Sequence, residues 1–191
     1  MSGFQINKGK EAQQRKAFTH VLADVPGGGV LVTSELTEPI VSEGSPIGRT
    51  SDGKWHIIKT AKIAAKATAS ATTYTVNKGH NITTSDYLTF AKNGKAYKVS
   101  SVATNASDPN LDDISVSTSL GAAEIGDILI QAKASTADSS AYAYEPFGLL
   151  GKSYNVKPNL FVQIVTAGQI YGDRITGLGR LADDLPLIKV I

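Results

Sequence analysis

Three histidines, two pairs of adjacent aspartates and several glycine-rich stretches are the residues of this chain whose types invite chemistry. His20, His56 and His80 lie far apart and form no His-x-x-x-His pair, so a zinc site would need all three to converge from separate segments. The aspartates of "NLDDIS" and "LADDL" lack the alternating ligand spacing of a calcium loop and read as solvated turn acids. "PGGGVLVTS" has glycines but no lysine to reach a phosphate, and "GLGR" is too short for a dinucleotide loop. There is no G-x-S-x-G elbow, and a Ser-His-Asp triad, whose members need not be adjacent, leaves no spacing to read. The chain has no cysteine, which removes disulfides, thiolate metal sites and a thiol nucleophile, and suits a reducing compartment. No catalytic, cofactor-binding or metal-ligating residue is therefore nominated. A binding or structural role is expected in place of an enzyme.

Such a role depends on the elements that present a surface. With 191 residues the chain fits one domain, or one domain carrying a small insertion. Apolar residues make up 41%, but alanine contributes heavily and large aromatics are few, so small or elongated cores are expected. A net charge of +2 shows no bias toward nucleic acid or membrane, and neither is expected as a partner. The N-terminus has no apolar stretch of the signal-peptide kind, and no run of 18 apolar residues exists. Asn81-Ile-Thr and Asn105-Ala-Ser match the glycosylation pattern and, with no secretion signal, read as chance matches.

Residues 1–29 read as an N-terminal arm. Within residues 1–20, Lys8, Lys10, Arg15 and Lys16 stand against Glu11, and only Phe4, Ile6 and Phe18 offer apolar anchorage. Such an arm orders where a partner supplies backbone hydrogen bonds, for instance by strand addition to a sheet edge. From Ile40 onward, short β-prone runs alternate with turn residues. Gly44, Pro46 and Gly48 punctuate "EGSPIGRTSDGK", and Asp52-Gly53 predicts a hairpin turn before "WHIIKT". There the alternation puts Trp55, Ile57 and Lys59 on one face and His56, Ile58 and Thr60 on the other. Asn93-Gly94 predicts a second hairpin, between "YLTF" and "AYKV". "AKIAAKATASATT" reads as linking strand and coil, and "AYAYEPFGLL" as a linker running into a proline-containing turn. Asp86 and Asp127 each close a polar corner directly before an apolar strand, where a carboxylate accepts backbone N–H bonds. These corners outline a small barrel inserted at 67–135 between body segments 30–66 and 136–191. "LFVQIV" and "LPLIKVI" are apolar on both faces, which nominates Phe161, Val162, Ile164, Leu187, Ile188 and Ile191 as subunit-interface residues.

The fold class expected is mainly β: a barrel-like body, a small inserted β-barrel and an extended arm. "PIVSEGSPIGRTSDGKWHIIKTAKI" resembles the start of the β-tulip portion of head decoration proteins of tailed phages, of the lambda head decoration type. "TYTVNKGHNITTSDYLTFAKNGKAYKVSSV" and "LGAAEIGDILIQA" resemble the inserted β-module of head fiber or capsid auxiliary proteins, although Ser85 stands where that pattern favours glycine. "FVQIVTAGQIYGDRITGLGRL" and "LPLIKVI" are similar to their closing segments. The resemblance implies a β-tulip body, no catalytic residues, a homotrimer, the major capsid protein and a head fiber as partners, and a place on the capsid exterior after synthesis in the host cytoplasm. On that reading Phe4, Ile6, Lys8, Lys10, Arg15, Lys16 and Phe18 are the capsid-contact candidates. The other reading open to the residues is a carbohydrate-binding β module, for which one tryptophan and seven dispersed tyrosines make a poor aromatic platform.

Overall fold

The computed structural model describes residues 16–191. It is mainly β, with 43% strand and 5% helix. The chain first lays down β1 (Phe18–Asp24), β2 (Gly29–Leu31), β3 (Ile40–Val41), β4 (Pro46–Arg49) and β5 (Trp55–Ile57). It then builds β6 (Thr60–Lys62), β7 (Thr73–Asn77), β8 (Tyr87–Thr89), β9 (Tyr97–Thr104), β10 (Leu111–Val116) and β11 (Ile128–Ala132). It returns through β12 (Glu145–Leu150), β13 (Tyr154–Asn155), β14 (Leu160–Val162) and β15 (Ile164–Ile170). Two short 3-10 turns, Gly172–Arg174 and Gly179–Asp184, precede β16 (Ile188–Val190).

The body is one eight-stranded sheet, ordered β1-β15-β12-β4-β5-β2-β14, with β16 parallel to β15. Only Gln163 separates β14 from β15, and β1 reaches β2 through a tight turn at Gly27-Gly28, where the Gly28 N–H bonds the Val25 carbonyl at 2.8 Å. The first and last pairings are thus halves of one antiparallel ribbon, and the sheet is curled into a half-barrel. Gly28 has φ of +66°, and a Cβ there would collide with the Val162 carbonyl, so glycine is required at this crossing. Leu31, Ile47, Trp55, Ile57, Leu150, Leu160, Val162 and Ile164 fill the interior.

The second sheet, ordered β6-β11-β8-β9-β10-β7, closes on itself. An antiparallel bridge joins Ile63 to Val76, and the Ala64 N–H donates to the Thr75 carbonyl at 2.9 Å. Inside are Ile63, Tyr74, Val76, Leu88, Val99, Ile114 and Leu129. Tyr74 is fully buried. Its hydroxyl accepts from the Leu120 N–H at 3.0 Å and lies 3.0 and 2.8 Å from the Ala71 and Gly121 carbonyls. One aromatic side chain thereby satisfies the backbone groups of two turns, as a buried phenol must.

A third apolar cluster lies between body and barrel and explains why two-face alternation fails in key strands. In β11, Ile128 and Ile130 join this cluster while Leu129 points into the barrel, so the whole strand is buried. Along "WHIIKT", Trp55 and Ile57 enter the body interior, Ile58 the intervening cluster, and Ala61 just beyond enters the barrel. In β15, Ile164 faces the body interior and Val165 the shared cluster.

Several expectations need correction. Phe18–Asp24, assigned to the arm, is β1, paired along β15; Phe18 is opposite Ile170 and belongs to the core. Its apolar contact with the sheet outweighs the polar residues before it. "EPFGLL" is the strand β12, lying between β15 and β4, and Pro146 sits at a register shift, where its missing N–H breaks no ladder. Gly44 is a corner with φ of +79°, whereas Pro46 and Gly48 lie inside β4. Neither Asp52-Gly53 nor Asn93-Gly94 is a type I′ turn, since only Gly53 and Asn93 have positive φ. The Gly53 N–H instead closes on the Thr50 carbonyl at 2.9 Å, and the Thr50 hydroxyl beside Asp52 holds that carboxyl down to about 2. The hairpin of β8 and β9 forms as expected, with Leu88 opposite Tyr97, but its loop is pulled open by Ser140. The Asn93 N–H donates to the Ser140 carbonyl at 2.8 Å and the Gly94 N–H to its hydroxyl at 3.1 Å.

Candidate functional site

Polar side chains gather at the seam between body and barrel. The ammonium of Lys59, between β5 and β6, lies 3.2 and 2.9 Å from the two carboxylate oxygens of Asp86. The Gln131 amide of β11 donates to Asp86 Oδ1 at 2.8 Å, and the Thr83 N–H donates to Oδ2 at 2.8 Å. All three long side chains are buried, so the charges are compensated by each other and by fixed donors. Asp86 holds its corner as expected, and Asp127 does the same, accepting from the Glu124 N–H at 2.8 Å, but in solvent. Two corners closed by the same carboxylate-to-backbone bond therefore serve different ends, one locking the seam and the other only turning the chain. Ser85, in place of glycine, needs no positive φ, and its hydroxyl meets that of Thr83 at 2.7 Å.

Beside this pair, His56 Nδ1 lies 2.7 Å from Glu35 and its ring stacks on Tyr144 at 4.1 Å between centroids. The Tyr144 hydroxyl donates to the other Glu35 oxygen at 2.8 Å; burial, then the Glu35 carboxylate, holds that hydroxyl well above its ordinary range. A carboxylate orienting an imidazole is half of a nucleophilic constellation. Among the described residues no serine or threonine hydroxyl bonds to His56 to complete it. His80 is buried against Asp112 in the barrel wall, and His20 is exposed on β1, so the three histidines do not converge. Among the described residues no group of three or more metal-ligating side chains is assembled.

What the body does present is apolar surface. Among the described residues, ten large hydrophobic side chains are exposed, and nine lie outside the barrel; Ile125 is the exception. Phe161 is 58% exposed and pairs across strands with Val30, which is also exposed. Leu22, on the edge strand β1, is the most exposed of all at 76%. Shallow grooves of about 390 Å³ and 350 Å³ run beside this ribbon, the first lined by Lys16, Phe18, Val21 and Lys152, the second by Tyr154 and Phe161.

Of the interface residues nominated from sequence, Phe161, Leu187 and Ile191 are exposed, while Val162, Ile164 and Ile188 point inward and line the chain's own cores. Val162 and Ile164 are apolar because they line the body interior and Val165 because it joins the shared cluster, whereas Phe161 stands in solvent. Of the capsid-contact candidates, Lys16 is exposed and Phe18 is interior, correcting its assignment; Phe4, Ile6, Lys8, Lys10 and Arg15 lie outside the described residues. Leu22 and Val30 are exposed apolar residues the sequence did not single out; "THVLAD" runs polar, polar, then three apolar residues, without the alternation that marks a strand. Trp55, the natural centre of a sugar platform, is 7% exposed, covered by the Arg49 guanidinium at 4.9 Å and the Phe147 edge at 4.9 Å. No family model, curated protein or solved structure matches this chain.

Proposed function

We propose that the chain is a structural auxiliary protein of a tailed-phage head, bound to the outer capsid surface through its body, with the barrel directed away from the shell. The observation that carries this reading is the distribution of exposed apolar side chains, nine on the body against one on the barrel. Exposed apolar side chains gathered on one unit, with Phe161 and Val30 side by side across β14 and β2, favour a surface that another protein covers. A capsid offers many identical copies of such a partner, so each contact can be weak while the shell as a whole is bound firmly. The resemblance of the opening, inserted and closing segments to head decoration and head fiber proteins supplies the partner, the major capsid protein, and the number three for self-association. The role is positional, and no reaction is assigned to Glu35, His56 or Tyr144.

The experiment is electron microscopy of phage heads lacking the protein, before and after addition of the full chain. Regular external density at one class of capsid site supports the reading. Heads that gain no density at saturating protein would end it.

A further inference from the structure

The loop at residues 80–82, on the barrel wall facing the body, holds the one buried side-chain nitrogen among the described residues that has no hydrogen-bond partner, His80 Nε2. The other ring nitrogen, Nδ1, accepts from the Ile82 N–H at 3.0 Å. That bond fixes the tautomer: Nδ1 is the acceptor, and the proton of the neutral ring sits on Nε2. Between these two residues stands Asn81, buried, with φ of +57°. Its carboxamide oxygen accepts from two backbone N–H groups of the body, Thr37 at 2.9 Å and Glu38 at 2.8 Å. The backbone conformation that aims Asn81 at the body is left-handed, a state asparagine adopts more readily than other non-glycine residues.

We propose that His80 is an acid-sensitive latch between barrel and body: a proton arriving at Nδ1 abolishes the bond that sets the 80–82 loop, and Asn81 then releases Thr37 and Glu38. With Nδ1 protonated, two N–H groups face each other where a donor met an acceptor. Charged groups surround the ring on several sides. Asp112 of β10 places an oxygen 3.4 Å from Nε2, Lys78 shares that carboxylate at 3.7 Å, and Glu38 and Asp86 act from the body loop and the β8 corner. The carboxylates favour the imidazolium, but burial outweighs them and draws the His80 pKa below its ordinary value. The folded state therefore prefers the neutral ring. The latch is complete above the ordinary histidine range near 6.5, and weakens as pH falls from there through the lower folded value.

The test is hydrogen exchange of the Thr37 and Glu38 amides in the full chain, expressed as protection factors so that the intrinsic pH dependence of exchange is removed. In the unaltered protein, protection should fall as pH drops below about 6.5, with a slope of at most roughly tenfold per pH unit, and level off below the folded value of His80. His80→Asn supplies an oxygen that accepts from the N–H two residues on and cannot be protonated, so its protection should stay flat. Asn81→Ala should leave both amides unprotected at every pH while the His80 ring still titrates. Should His80→Asn fail to fold, the ring titration in the unaltered protein decides, since protection must begin to fall above its midpoint and level off below it. Protection that stays constant between about pH 7.5 and 5.5, or a loss that persists in His80→Asn, would overturn the proposal.

Discussion

The barrel and the body are built from the same kinds of short strand, yet they finish differently. In the barrel, β10 pairs with β7 in five consecutive register pairs without interruption, the sheet closes on itself, and Ile125 is the one large apolar side chain left exposed. In the body, the β1–β15 ladder shifts register three times along one strand, and Leu22, Val30, Phe161 and Leu187 remain in solvent. Irregular pairing at an edge is a common guard against unwanted strand addition. Here it coexists with exposed apolar side chains on the same strand and on its neighbours. A closed unit is suited to standing in solvent, and a unit with an open apolar face is suited to being covered.

The largest expected effect bears on the seam that joins the two units. Asp86→Ala leaves Lys59 buried without its counter-charge and should destabilise by about 3–5 kcal/mol in urea unfolding. A loss below about 1 kcal/mol would mean that the seam contributes little and the units are joined by their apolar cluster alone. Next is Tyr74→Phe, which strips the Leu120 N–H of its acceptor inside the barrel and should cost about 1–3 kcal/mol. Hydrogen exchange should locate that loss in barrel strands; equal loosening of β12 and β15 would break the distinction between the units. Asp127→Ala removes the same corner bond as Asp86→Ala but in solvent, and should cost only about 0.5–1.5 kcal/mol. A cost equal to that of Asp86→Ala would show that the corner, not the buried pair, carries the energy. Smallest for stability is Phe161→Ser, expected within about 0.5 kcal/mol of the unaltered chain. If the body face also mediates self-association, light scattering of this variant should show a smaller species.

Much of the fold was legible because turns announce themselves. Asp86 and Asp127 each followed a polar corner, Asn93 sat at the tip of the β8–β9 hairpin, and the barrel's strands followed in order. Less legible were elements whose partners lie far along the chain. β1 is held by β15, about 150 residues away, and the lysines before it gave the stretch the look of a solvated tail. β12 carries a proline inside a strand, which reads as a turn until the register shift that accommodates it is known. The open face was half legible. Phe161 and Leu187 stood out as apolar, but no pattern in "LFVQIV" distinguishes a side chain covered by another chain from one covered by a later segment of its own. That distinction depends on where β2, β12 and the C-terminal turns fall.

The most direct measurement of the account is the affinity of the full chain for capsids assembled from the cognate major capsid protein, by co-sedimentation, with two matched surface variants. Leu22→Asp combined with Phe161→Asp places charge on the body face, and Ile125→Asp does so on the barrel. The body variant should bind roughly thirtyfold more weakly or worse, as removal of a central apolar anchor does, while the barrel variant binds like the unaltered chain. Undiminished binding by the body variant, or binding lost through Ile125→Asp alone, would contradict it.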